Sequence, residues 1–169
     1  MYGELKEDIC LQTASTDPKQ GENHLKAPNK VMNCIVVFNR ENDKVLFCKR
    51  KKEPFKGRLN FVGGKVEPGE TSEAAAYREL QEETGISRQH ICLYRLMDLT
   101  YYHQDFILEI YVGRLDKDIT LKEETNPLLW LPLDEDYTDR ERFAGEQNIA
   151  HIINIALMYS LPPIHDPIG

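Results

Sequence analysis

From Val31 onward, apolar positions fall into short runs separated by polar turns, and the runs change period twice. Residues 32–38 (MNCIVVF) and 45–49 (VLFCK) are rich in β-branched and aromatic side chains and read as strands. They flank residues 39–43, whose Asn and Asp suit a hairpin turn. Residues 59–64, 91–102, 106–115 and 127–133 are further strand candidates. Between them the period becomes helical. Pro68-Gly69 marks a turn, Thr71 and Ser72 are N-cap candidates with Glu73 behind them, and Gly85 stands where a left-handed glycine ends a helix. The pattern predicts a helix over 72–84. A second amphipathic helix is predicted over 145–160, with Ile149, Ile152, Ile153, Ala156 and Leu157 on one face and Pro162-Pro163 as its stop. Several strands with one helix in the middle and one at the end imply an α/β fold, a mixed β-sheet covered by helices on both faces.

Residues 1–29 lack any such period. They are polar, interrupted by Pro18, Gly21 and Pro28, and read as a mobile extension or surface arm with a short helix possible over 5–11. Residues 30–169 then form one domain. There is no internal repeat.

The predicted central helix carries an unusual charge pattern. At about 100° per residue, Glu79, Glu82 and Glu83 share one face, while Ala76, Tyr77, Leu80 and the stem of Thr84 group on the side expected to meet a core. Ala75, one turn before Glu79, is expected to leave open space above the acidic side. Like charges at these spacings destabilise a helix, so a structural role alone explains them poorly. Hard divalent cations reverse that penalty: Mg²⁺ prefers oxygen ligands and is usually held jointly by carboxylates and a substrate phosphate.

Gly64, Glu70, Arg78-Glu79-Leu80, Glu82-Glu83 and Gly85-Ile86 together closely resemble the complete signature of the Nudix hydrolases, with no position departing from it. The resemblance covers roughly residues 31–159 and implies an α/β/α sandwich. It also implies Mg²⁺- or Mn²⁺-dependent hydrolysis of nucleoside diphosphates linked to another moiety. Glu79, Glu82, Glu83 and the backbone carbonyl of Gly63 are then the implied metal ligands. Arg78 orients the carboxylates by charge-assisted hydrogen bonds, and Glu70 braces the loop over the helix.

The substrate must be sought in the flanks. Residues 57–66 (GRLNFVGGKV) are similar to the corresponding stretch of the branch that sanitises oxidised purine nucleoside triphosphates, although Leu59 and Phe61 stand where that branch often has Trp and Gly. By this resemblance Asn60 faces the base, an amide offering both a donor and an acceptor; the alternative is a strand-end Asn bonded to its own backbone. Arg50 falls where the branch places a basic residue near the nucleotide, with a solvated cation as the alternative, and Lys65 joins the substrate-binding candidates. Glu146 or Asn148, opening the last helix, stands where a second base-reading residue is expected. Glu124 is a candidate distant carboxylate for metal or base duty. Trp130, in a Trp-x-x-Leu-Asp segment, reads more readily as a core anchor than as a stacking platform.

Composition narrows the classes. At 169 residues, 41% hydrophobic and 29% charged, the chain suits one globular domain, and a net charge of -7 argues against a general nucleic-acid surface. A small nucleotide substrate fits better, in a monomer or homodimer. Cys10, Cys34, Cys48 and Cys92 form neither a zinc motif nor a disulfide framework, and His103 and His151 read as solvent or packing residues. No apolar leader or membrane-length run is present, which makes the cytoplasm the expected location. The reading that follows is a metal-dependent nucleoside triphosphate pyrophosphohydrolase resembling 8-oxo-dGTP diphosphatases. The alternatives are hydrolysis of ADP-ribose, a dinucleoside polyphosphate or NADH, and a non-catalytic nucleotide sensor.

Overall fold

The computed structural model describes residues 26–145, 147–159 and 161. Its elements in chain order are β1 (Lys30–Phe38), β2 (Lys44–Lys49), β3 (Leu59–Asn60), α1 (Ser72–Thr84), β4 (Tyr94–Tyr101), β5 (Phe106–Arg114), β6 (Leu128–Pro132) and α2 (Asn148–Met158). One mixed sheet runs in the order β3-β2-β1-β5-β4, with β6 on β2. β1 lies parallel to β5 along its whole length, and the other pairings are antiparallel.

β1 is the central strand, buried from both sides, and therefore nearly continuous in apolar residues. Alternation sends Cys34, Val36 and Phe38 to one face, where they pack with Ile149, Ile152, Ile153 and Ala156 of α2. Ile35 and Val37 go to the other, against Ala76, Tyr77 and Leu80 of α1. The sheet is thus filled between two helices, an α/β/α sandwich. Trp130 lies partly buried against the α1-side cluster, in register with Leu46 of β2.

Three details differ from the sequence expectation. Residues 59–64 do not form one strand: pairing stops after Asn60, and only single bridges, Ile35 with Val62 and Met32 with Lys65, continue alongside β1. The last helix begins at Asn148 and not at 145, because Gly145 and Gln147 hold left-handed φ values of 78° and 74° that cannot continue a right-handed helix. Ala75 does not overlook open space; it is wholly buried, since the first turn of α1 is drawn against β1, where Asn33 donates its side-chain amide to the Ser72 carbonyl at 3.2 Å. The expected 39–43 hairpin is present, with Asn39 Oδ1 accepting the backbone N–H groups of Asp43 and Lys44. The expectations for residues 5–11 and for Pro162-Pro163 lie outside the described residues. Asn29 is held, its backbone N–H donating to Asp105 Oδ1 at 3.1 Å.

Candidate active site

The first half of the site is local to α1 and the loop before it. Thr71 caps the helix, its hydroxyl accepting the Ala74 N–H at 3.2 Å, and Gly85 closes it at φ 78° with its N–H on the Gln81 carbonyl. Upstream, a Cβ on Gly63 would lie 2.3 Å from the Asn33 carbonyl oxygen, and one on Gly64 would lie 2.3 Å from the Glu79 carboxyl carbon. The two glycines therefore let the loop approach β1 on one side and let the Glu79 carboxylate settle against the loop on the other.

Arg78 ties these parts together. Its guanidinium grips both oxygens of Glu70, at 2.7 and 3.2 Å, reaches Glu79 at 2.8 Å and Glu82 at 3.3 Å, and donates to the Lys65 carbonyl at 3.0 Å. Hydrogen bonds from Arg78 and from the Glu67 N–H hold the Glu70 carboxyl below the usual carboxylate range. Reciprocally, Glu70 and Glu79 raise the Arg78 pKa.

Glu83 turns inward and accepts the Gly63 N–H at 3.0 Å. Burial pushes its pKa up to about 7, the Gly63 N–H opposes this, Glu79 and Glu124 add to it, and Arg50 again opposes. Glu124, although exposed, and Arg50 thus both act within electrostatic range of Glu83.

Among the described residues no group of three or more His, Cys, Asp or Glu side chains is gathered as a ready metal cage. The ion pairs account for this, because Glu79 and Glu82 point to Arg78 while Glu83 points to Gly63. The donor set still fits a hard divalent cation. It is all oxygen, and the Gly63 carbonyl accepts no hydrogen bond among the described residues, while its neighbours Val62 and Gly64 accept from β1.

The second half of the site lies on the α2 side of the sheet. A pocket of about 390 Å³ is lined by Arg50, Asn60, Phe61, Tyr101, Phe106 and Asn148 among others. Gly63 belongs to its wall and donates its N–H to Glu83, and Arg50, also on the wall, lies within electrostatic range of Glu83, so the pocket adjoins that carboxylate. Tyr101 and Phe106 close the β4–β5 hairpin as a stacked pair, 4.6 Å between ring centres. The Arg50 Nε donates to the Pro54 carbonyl at 3.0 Å, which secures the loop after β2.

The sequence candidates divide accordingly. Glu70, Arg78, Glu79, Glu82, Glu83, Gly63 and Gly64 come together, while Arg50, Asn60 and Asn148 meet in the pocket. Lys65 does not join them: its side chain is exposed and outside the pocket lining, and it contributes its backbone carbonyl to Arg78. Glu146 lies outside the described residues. Asn60 adopts the bond to its own backbone, Oδ1 accepting the Phe61 N–H at 3.0 Å, and still lines the pocket. Tyr101, Phe106 and Gln104 were missed by sequence reasoning. Strand parity across a 102–105 turn, which sets Tyr101 opposite Phe106, is the signal that marks them.

The family model of the NUDIX domain matches residues 28–151. The chain belongs to the Nudix family. It is a Nudix hydrolase, an enzyme acting on nucleoside diphosphate derivatives, and such hydrolases generally use a divalent metal. The chain is 30% identical to an 8-oxo-dGTP diphosphatase of Escherichia coli over 105 residues, 62% of this chain and 81% of that one. It is 52% identical to an ADP-ribose pyrophosphatase of Methanocaldococcus jannaschii, over 50 residues that span 30% of this chain and 29% of the other. A solved MutT structure (Aliivibrio salmonicida or Vibrio cholerae) superposes with a TM-score of 0.59 at 21% identity, covering 77% of this Nudix chain and 98% of that chain. No helix among the described residues is long and apolar enough to cross a membrane.

Proposed function

We propose that this Nudix hydrolase is a Mg²⁺-dependent nucleoside triphosphate pyrophosphohydrolase that prefers an oxidised purine, releasing a nucleoside monophosphate and pyrophosphate. The observation that carries the reading is the adjoining of the two halves. A pocket of about 390 Å³ with aromatic walls and amides suits one base with its sugar, and Gly63 in its wall donates its N–H to Glu83 at 3.0 Å. The 30% identity to an 8-oxo-dGTP diphosphatase along 81% of that protein supports the substrate class.

Glu79, Glu82, Glu83 and the Gly63 carbonyl would hold Mg²⁺, with Mn²⁺ as a substitute, and Glu124 would add a more distant carboxylate. The metal, when bound, supplies charge neutralisation on the polyphosphate and lowers the pKa of a water. The chain's own groups do the rest. Arg78 keeps Glu79 and Glu82 from separating, and Gly64 gives Glu79 its place. Arg50 faces the phosphates, Asn60 and Asn148 meet the base, and the carboxylate cluster accepts the proton of the attacking water. Because these carboxylates are coupled, the proton acceptor is assigned to the cluster. A cytoplasmic setting suits the free thiols of Cys34, Cys48 and Cys92.

A second reading, hydrolysis of ADP-ribose, is favoured by the 52% identity over 50 residues to an ADP-ribose pyrophosphatase. Incubation with Mg²⁺ and 8-oxo-dGTP, dGTP, ADP-ribose and NADH, followed by chromatography, separates the readings. The proposal expects pyrophosphate and 8-oxo-dGMP as the fastest-formed products. Faster AMP and ribose 5-phosphate formation would favour the second reading, and binding without any product would leave a sensor.

A further inference from the structure

β2 ends at Lys49, but the backbone N–H groups just beyond it are still taken up. The Lys49 N–H donates to the Pro127 carbonyl at 2.8 Å, the Arg50 N–H to the Arg58 carbonyl at 2.9 Å, and the Lys51 N–H to the side-chain Oδ1 of Asn126 at 3.0 Å. At the last of these a side-chain amide serves in place of a backbone carbonyl.

That bond secures a segment with little else to secure it. Among the described residues, the backbone groups of 123–126 form no backbone–backbone hydrogen bond. The segment is fixed at its start by the Lys122 N–H on the Thr84 carbonyl at 2.9 Å, one residue past Glu83, and at its end by the Pro127 carbonyl on Lys49. Glu123 accepts the Leu128 N–H at 2.9 Å, a tie to the neighbouring start of β6. The Asn126 bond is therefore the one hydrogen bond, among the described residues, from 123–126 to a distant part of the chain. Glu124 lies midway between Lys122 and Asn126, exposed, with its charge acting on Glu83.

Arg50, which also acts on Glu83, is held by bonds of its own. Its Nε donates to the Pro54 carbonyl at 3.0 Å, and its carbonyl accepts the Gly57 N–H at 2.7 Å. Loss of Asn126 thus leaves the pocket wall in place and frees the arm that carries Glu124. A carboxylate on an unanchored segment must be ordered each time a cation binds, and that cost falls on metal affinity.

Resting on the reading above that Glu124 adds a distant carboxylate to the metal site, we propose that Asn126 is a positioning residue. By accepting the Lys51 N–H, its amide anchors the 122–127 segment on the end of β2 and keeps Glu124 at the carboxylate cluster.

Titration of the full chain with Mn²⁺ in the absence of nucleotide, read by the paramagnetic resonance of the free ion, tests this. Asn126→Ala should weaken Mn²⁺ binding by about tenfold, as should Glu124→Gln. Asn126→Ala added to Glu124→Gln should cost less than about twofold more, since the amide acts through that carboxylate. Asn126→Asp, whose carboxylate still accepts the Lys51 N–H, should stay within about twofold of wild type. Calorimetric binding of 8-oxo-dGMP in EDTA should change by less than about twofold in Asn126→Ala, whereas a general loosening of the site would weaken it as well. Four results would overturn the proposal: unchanged Mn²⁺ affinity in Asn126→Ala, an equal loss with and without Glu124, an Asn126→Asp protein as weak as Asn126→Ala, or nucleotide binding lost in parallel. If Asn126→Ala does not fold, Asn126→Gln, which carries the acceptor on a longer stem, takes its place under the same criteria. The hydrolase reading is judged separately, by whether wild type with Mg²⁺ releases products from any nucleotide, since the Mn²⁺ titration uses no substrate.

Discussion

The two faces of the sheet solve different problems with different kinds of sequence. On the α1 face the site is charged and local: Glu70, Arg78, Glu79, Glu82 and Glu83 all come from one loop and the helix after it, with Glu70, Glu79 and Glu82 at 2.7 to 3.3 Å from Arg78 and Glu83 on the Gly63 N–H at 3.0 Å. On the α2 face it is mostly apolar and assembled from afar, with Arg50, Asn60, Tyr101, Phe106 and Asn148 arriving from separate elements. The contrast teaches that bond-breaking machinery can be written as a motif, while substrate choice is written in the tertiary fold. Chemistry needs several charges at fixed spacing, which one helix supplies. Recognition needs a concave wall, which no single segment provides.

If the division is sound, damage on one face should spare the other. The largest effect is expected from Glu82→Gln and Glu83→Gln, each lowering kcat by at least about a hundredfold, with the thermal midpoint held. Near-normal rates at saturating Mg²⁺ would break the α1 side of the comparison.

Gly64→Ala comes next. Its new methyl would meet the Glu79 carboxyl carbon at 2.3 Å, and because that is the end of a flexible side chain the fold should adjust. Steady-state kinetics should show kcat down about tenfold with the melting temperature little changed. Gly63→Ala should instead unfold the loop: the clash is with the Asn33 backbone at 2.3 Å and φ is 141°, a combination costing about 2–4 kcal/mol in denaturant melts.

On the other face, Asn60→Ala should raise KM for an oxidised purine nucleoside triphosphate by about tenfold, with a smaller change in kcat. A kcat loss as large as that of Glu82→Gln would merge the two regions into one.

Stability should also depend on pH. Glu83, raised from 4.5 to about 7, binds its proton more tightly folded than unfolded. The folded state thus holds more protons, and metal-free stability falls as pH rises from about 4.5 through 7, by up to roughly 3 kcal/mol. Divalent cations should restore stability at pH 8 and do little at pH 5, as calorimetric melting will register.

Legibility followed the same division. The bounds of α1, its Thr71 cap and its Gly85 stop were readable because local capping chemistry sets them. The layered architecture was readable from the two periods. The fate of Ala75 was not, because helical spacing says which residues share a side but not how closely the helix approaches β1. Nor was the start of α2, where Gln147 is a non-glycine residue at positive φ. Tyr101 escaped because its place in the pocket wall is set by the pairing of β4 with β5, and its contact with Asn148 spans 47 positions of sequence. Lys65 stands outside the pocket lining, its backbone carbonyl engaged by Arg78 and its side chain exposed, a placement that proximity to the motif does not reveal.

The separation of chemistry from recognition is tested most directly by titrating 8-oxo-dGMP, in EDTA, into wild type, Glu82→Gln and Asn60→Ala by calorimetry, with turnover of 8-oxo-dGTP under Mg²⁺ measured on the same samples. The expected result is a Glu82→Gln protein that binds within about twofold of wild type while turning over at least about a hundredfold more slowly, and an Asn60→Ala protein that binds about tenfold more weakly. Binding lost together with turnover in Glu82→Gln, or unchanged binding in Asn60→Ala, would contradict it.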